Sequence, residues 1–169
     1  MDPIAPLLVA RSTPRPPSEA APHESALRRA LEAARGVEVG AQDDPLDLWS
    51  FIVLGAEDAR AIAWLLARRI EDSAGLEAAM AALDQMRSVP GWVIVSARRD
   101  PDPEREAYVT ERGLTAVQRA SLQLWSEGIR TSWSTEMTLE EPSFYEAAGL
   151  DIATERALGV LWFGHAEKR

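Results

Sequence analysis

Chemistry in this chain has few places to come from. It contains no cysteine, which excludes thiolate nucleophiles, disulfides and cysteine-ligated metals. Its two histidines, His23 and His165, are too far apart in sequence to suggest a zinc pair. Two carboxylate pairs, Asp43/Asp44 and Glu140/Glu141, lie in loop-like charge runs, and such runs are solvated far more often than catalytic. What remains are arginines and hydroxyl residues. Arg11 and Arg15 fall in RSTPRPPSEAAP, and GIRTSW, 128–133, gathers a glycine, an arginine, two hydroxyls and a tryptophan where a helical pattern stops. A helix end followed by hydroxyl residues reads equally as a plain turn or as one wall of a binding pocket. Reactive chemistry is expected to be borrowed from a cofactor.

These residues need elements to position them. Pro14, Pro16, Pro17 and Pro22 keep the segment after Ile4–Ala10 in a loop. Leu27, Ala30, Leu31 and Ala34 then repeat at helical spacing and predict a helix over 24–35. GVEVGAQDDPLDL reads as an acidic loop, and WSFIVLG as a buried strand. Helical patterns follow over 58–70 and 76–86, and GWVIVSA, 91–97, is a second buried strand. RRDPDPERE reads as a charged loop. The longest helix is expected over 108–127, burying Val117, Leu122, Leu124 and Trp125 and ending at Gly128. A short helix over 142–148 and a third strand over 156–164 complete an α+β chain with helices around a small sheet.

Composition narrows the partners. The length of 169 residues with 46% hydrophobic content suits one domain, 1–169, with a Pro-rich loop at 12–22 and an acidic loop at 36–47. The net charge of -9 argues against a nucleic-acid partner. No apolar stretch is long enough to cross a bilayer, and the first residues lack the pattern of a signal peptide, so no membrane partner and a cytoplasmic location are expected. Six tryptophans point to packing or a subunit interface.

The ordered fragments ARSTPR, PPSEAAPHESALRRALEAAR, DLWSFIVL, SVPGWVIVSA, AVQRASLQLWSEGIRTSW and LGVLWFGHAEKR together resemble the nitroreductase family across most of the chain. ARSTPR is similar to the family's opening Arg-Ser-x-x-Arg motif. GIRTSW is similar to the Gly-Leu-Gly-Thr segment and tryptophan after its central helix. The resemblance implies a nitroreductase-like α+β fold with a central small, mostly antiparallel sheet flanked by helices, assembled as a homodimer. It implies FMN as cofactor, NAD(P)H as transient co-substrate, and a nitroaromatic, quinone or similar small-molecule electron acceptor.

By the same resemblance, Arg11, Ser12 and Arg15 would hold the FMN phosphate, whose oxygens suit guanidinium forks. Lys168 and Arg169 would add charge there, and Thr131, Ser132, Trp133 and Ser134 would approach the ring. No side chain is required as a catalytic nucleophile or base, and no metal is implied. The chain departs from the pattern at Gln42, Asp43 and Asp44, at Arg119, where an asparagine is usual, and at Arg130, where a second glycine is usual. Arg130 would crowd a flavin or bind another anion. Two further readings therefore stand: a flavin-free homodimer of the same fold serving as a binding or regulatory module, and an enzyme handling a different anion in the same cleft.

Overall fold

The computed structural model describes residues 22–37, 48–135 and 140–165. The Pro-rich loop and the acidic loop therefore lie almost wholly outside the described residues. So do Arg11, Ser12, Arg15, Gln42, Asp43, Asp44, Lys168 and Arg169.

Five helices and four strands occur among the described residues. The helices are α1 (Glu24–Arg35), α2 (Ala56–Ala74), α3 (Leu76–Arg87), α4 (Pro103–Ser126) and α5 (Pro142–Ala148). The strands are β1 (Trp49–Val53), β2 (Gly91–Arg98), β3 (Ile129–Ser134) and β4 (Glu155–His165). All neighbouring strands are antiparallel, in the order β1-β2-β4-β3. The α+β class and antiparallel sheet expected from the sequence are observed.

The two central strands are the two apolar runs. Every residue from Trp92 to Ala97 is buried, and so is every residue from Ala157 to Gly164, as strands covered on both faces require. One face carries α1 and α4 over Val93, Val95, Leu158, Leu161 and Phe163. The other carries α2, α3 and α5 over Trp92, Ile94, Val160 and Trp162. Strand β1 is a half-buried edge rather than the fully buried strand expected: Trp49 is inside, while Ser50 and Val53 are exposed.

Small residues let α1 lie close to α4. Ala26, Ala30 and Ala34 form its buried stripe, rotated slightly from the predicted one so that Leu27 and Leu31 are half-buried. Ala116, Ala120 and Gly113 lie along the buried face of α4. A Cβ on Gly113 would stand 2.8 Å from Leu158 Cδ1, so the missing side chain there is what allows the helix to rest on β4.

Helix α4 starts earlier than predicted, inside the charged segment. Asp102 Oδ1 accepts a hydrogen bond from the Glu104 amide at 3.0 Å, and Pro103 opens the first turn. An aspartate cap followed by proline is a start signal, because proline lacks only an amide that would be unpaired there anyway. Leu122, expected in the core, is 42% exposed, and Trp125 is half-buried. Val117 and Leu124 are buried as expected.

Candidate functional site

The segment that drew attention in the sequence is a strand and not a turn. Only Gly128 turns the chain, at φ +76°, a left-handed conformation that favours glycine. Ile129 to Ser134 then form β3 at the edge of the sheet and run antiparallel to β4 from His165 back to Val160.

Strand geometry sends successive side chains to opposite faces. Ile129, Thr131 and Trp133 face α4, where Ile129 and Trp133 pack in that core. Ser132 and Ser134 stand opposite Trp162 and Val160 and face α2, α3 and α5. The four hydroxyl and aromatic residues singled out from the sequence are thus divided between two faces. Thr131 and Trp133 can line one surface together, and Ser132 and Ser134 belong to the other.

Trp133 packs on β4 next to a bulge in that strand. Val95 pairs with Gly159 but Ser96 pairs with Ala157, leaving Leu158 as the extra residue. A Cβ on Gly159 would lie 2.5 Å from Trp133 Cη2 and 2.8 Å from the Ser134 carbonyl oxygen. The indole therefore lies across the bare backbone of Gly159. The benzo end of the ring is committed to packing, and the side chain is half-buried.

The turn before β3 is braced by charge. Arg29 Nε donates to Glu127 Oε1 at 2.8 Å, and its Nη2 pairs with Oε2. Gln123 Nε2 also donates to Glu127 Oε1, at 2.9 Å. The Arg29 fork, and secondarily the Gln123 amide, hold the Glu127 carboxyl at about 2, well below its ordinary 4.5. Neither residue stood out in the sequence, because nothing short of the fold places positions 29 and 127 side by side.

Both arginines that depart from the family pattern can now be located. Arg119 donates through Nη1 to the Gly36 carbonyl oxygen and so ties the end of α1 to α4; it is a structural clamp. Arg130 is exposed on the strand face opposite Thr131, so it does not crowd the surface that Thr131 and Trp133 share. The acidic pair Glu140/Glu141 is spent on surface ion pairs, with Arg99 at 2.9 Å and Arg69 at 3.9 Å, consistent with solvated charges. His165 is exposed at the end of β4, and His23 caps α1 by accepting from the Ser25 amide. No group of three or more potential metal ligands occurs among the described residues, and no helix among them is long and apolar enough to cross a membrane.

No protein-family model and no curated protein matches the chain. Solved structures do. A nitroreductase-like family protein from Bacillus cereus superposes with a TM-score of 0.78 at 20% identity, covering 99% of this chain and 88% of that one. A nitroreductase with bound FMN from Bacteroides fragilis gives a TM-score of 0.74 at 16% identity, covering 98% and 89%. A nitroreductase with bound FMN from Desulfitobacterium hafniense gives 0.71 at 16% identity, covering 100% and 92%. The likeness extends over nearly the whole of each chain, and the fold is the nitroreductase-like fold.

Proposed function

We propose that this chain of nitroreductase-like fold is an FMN-dependent oxidoreductase that carries electrons from NAD(P)H to a nitroaromatic, quinone or similar acceptor. The observation that carries the reading is the near-complete structural overlap with nitroreductases that hold FMN. When bound, FMN supplies the redox chemistry, and the protein supplies anchoring, orientation and an apolar surround.

Arg11, Ser12 and Arg15 are assigned to the FMN phosphate, and Lys168 and Arg169 to its flank. Thr131 offers a hydroxyl at the flavin edge, and Trp133 a partly accessible ring beside it. The described surface fits this assignment in one respect that the sequence leaves open: Arg130 lies on the opposite face and leaves the Thr131 side clear. Ser132 and Ser134 face the other way and are left out of the assignment.

A homodimer goes with this reading. Leu114, Leu122 and the half-buried Trp125 follow one another along α4 at helical spacing, and Leu114 and Leu122 are exposed, giving an apolar stripe suited to a two-fold interface. The proposed setting is cytoplasmic, where NAD(P)H is at hand.

The test is the visible spectrum of the purified protein before and after incubation with FMN and desalting. Retained oxidised-flavin bands that disappear when Arg11→Ala and Arg15→Ala are combined would support the reading. A protein that stays colourless in both samples would sink it and favour the flavin-free module, for which Ser132 and Ser134 turning away from Thr131 is the observation in hand. Sedimentation showing a stable monomer near 18.5 kDa would remove the dimer.

A further inference from the structure

On the α2/α3/α5 face of the sheet, a cleft of about 350 Å³ opens between the first half of α2 and the corner where α3 runs into β2. It lies on the opposite face from Thr131 and Trp133. Its size is at the small end of the ~300–1,000 Å³ typical of small-molecule sites. Gly55, Ala56, Ala59 and Ala63 form one wall, and their small side chains leave a slot along the helix. Met86, Val89 and Trp92 form the apolar floor. Trp92 is buried and held by a tilted ring contact with Trp162 at 5.2 Å.

Arg60 and Arg87 also line this slot. Arg60 is exposed and makes no hydrogen bond or ion pair among the described residues. Arg87 has no carboxylate partner among them either; its guanidinium lies 5.6 Å from the centre of the Trp64 ring, which is itself 54% exposed. Both arginines therefore lack an acidic partner among the described residues and are available to an anion beside the apolar slot. The positive end of α2 is already offset by its own Glu57 and Asp58, so recognition of an anion falls to the two arginines. Those carboxylates also disfavour a multiply charged ligand.

We propose that this cleft is a second ligand site, for a small aromatic monocarboxylate whose ring enters the slot over Met86, Val89 and Trp92 while its carboxylate sits between Arg60 and Arg87. The slot suits a flat body because Gly55, Ala56, Ala59 and Ala63 leave one wall without bulk, and a single negative charge because the two arginines favour an anion while Glu57 and Asp58 oppose a higher charge. The site is independent of the flavin reading and stands or falls without it.

The experiment is a titration of the full-length, isotope-labelled chain with naphthoate, and in parallel with the neutral naphthylmethanol, followed by amide and indole chemical shifts. Naphthoate is expected to shift Leu54, Ala59, Ala63, Val89 and the Trp92 indole, binding in about the millimolar range or tighter. Arg60→Ala with Arg87→Ala should weaken it by about tenfold, and added salt should weaken it as well. Both arginines are exposed, so these variants should fold; Ala59→Phe, which fills the slot, is the second variant and should abolish the shifts. The proposal is overturned if those nuclei do not move, if the neutral alcohol binds as well as the acid, or if the shifts map to the Thr131 face instead.

Discussion

Trp133 lies across Gly159: the indole on the edge strand covers a backbone position on its neighbour that has no room for a Cβ. Alanine at 159 would meet Trp133 Cη2 at 2.5 Å and the Ser134 carbonyl oxygen at 2.8 Å. The ring can move but the carbonyl cannot, short of displacing β3. Gly159→Ala is therefore expected to destabilise the fold by about 1–3 kcal/mol, read as a lower urea midpoint. In a Trp133→Ala background the same substitution should cost less but not nothing, because the clash with Ser134 remains. Gly159→Ala without any cost in that background would show that the indole alone sets the limit.

The Arg29–Glu127 pair gives stability a signature in acid. Because Glu127 titrates at about 2 in the folded chain against an ordinary 4.5, the folded state binds its proton less readily than the unfolded one. The stabilisation is fully present above the ordinary value and is lost as pH falls towards 2. Glu127→Gln should therefore lower the urea midpoint at neutral pH and converge with the parent chain near the bottom of that window. A constant gap between the two chains at every pH would mean that packing, and not ionisation, carries the effect.

Tyr145 joins the short helix α5 to β4. Its ring is buried, and its hydroxyl oxygen accepts from the Ala157 amide at 3.1 Å. Tyr145→Phe leaves the ring packed and that buried amide without its partner, at a cost of about 1–3 kcal/mol. Faster hydrogen exchange at the Ala157 amide would locate the loss, whereas exchange unchanged from the parent chain would show that the amide had found another acceptor.

Much of the fold was legible because its signals are local. Helix α1 has an alanine and leucine stripe at helical spacing, α5 is bracketed by Pro142 and Gly149, and β2 and β4 are unbroken apolar runs, so their positions follow from periodicity and end signals. Strand β3 was missed because its hydroxyl residues look like loop, although Ile129, Thr131 and Trp133 carry the two-residue alternation of a half-buried strand. The start of α4 was missed because Pro101 and Pro103 read as helix breakers, when Asp102 followed by Pro103 is a cap. The face on which Arg130 or Ser132 lies, and the partner of Arg119, are set by register and helix packing between segments distant in sequence. A single sequence does not display those relationships.

Alternation along β3 also divides the proposed flavin contacts in a way that the sequence did not. Thr131 shares the α4 face with Trp133, and Ser132 and Ser134 face the opposite core. If FMN binds on the α4 side, Thr131→Val, which keeps the shape and removes the hydroxyl, should weaken it several-fold, by about the 0.5–1.5 kcal/mol net of one neutral hydrogen bond. Ser132→Ala and Ser134→Ala should leave FMN affinity unchanged, because neither side chain can reach that surface without a register shift that would also turn Trp133 off Gly159. The comparison is made by following flavin fluorescence as FMN is titrated into each variant. Loss on the serine substitutions with none at Thr131 would place the ring on the opposite face of the sheet and overturn this assignment.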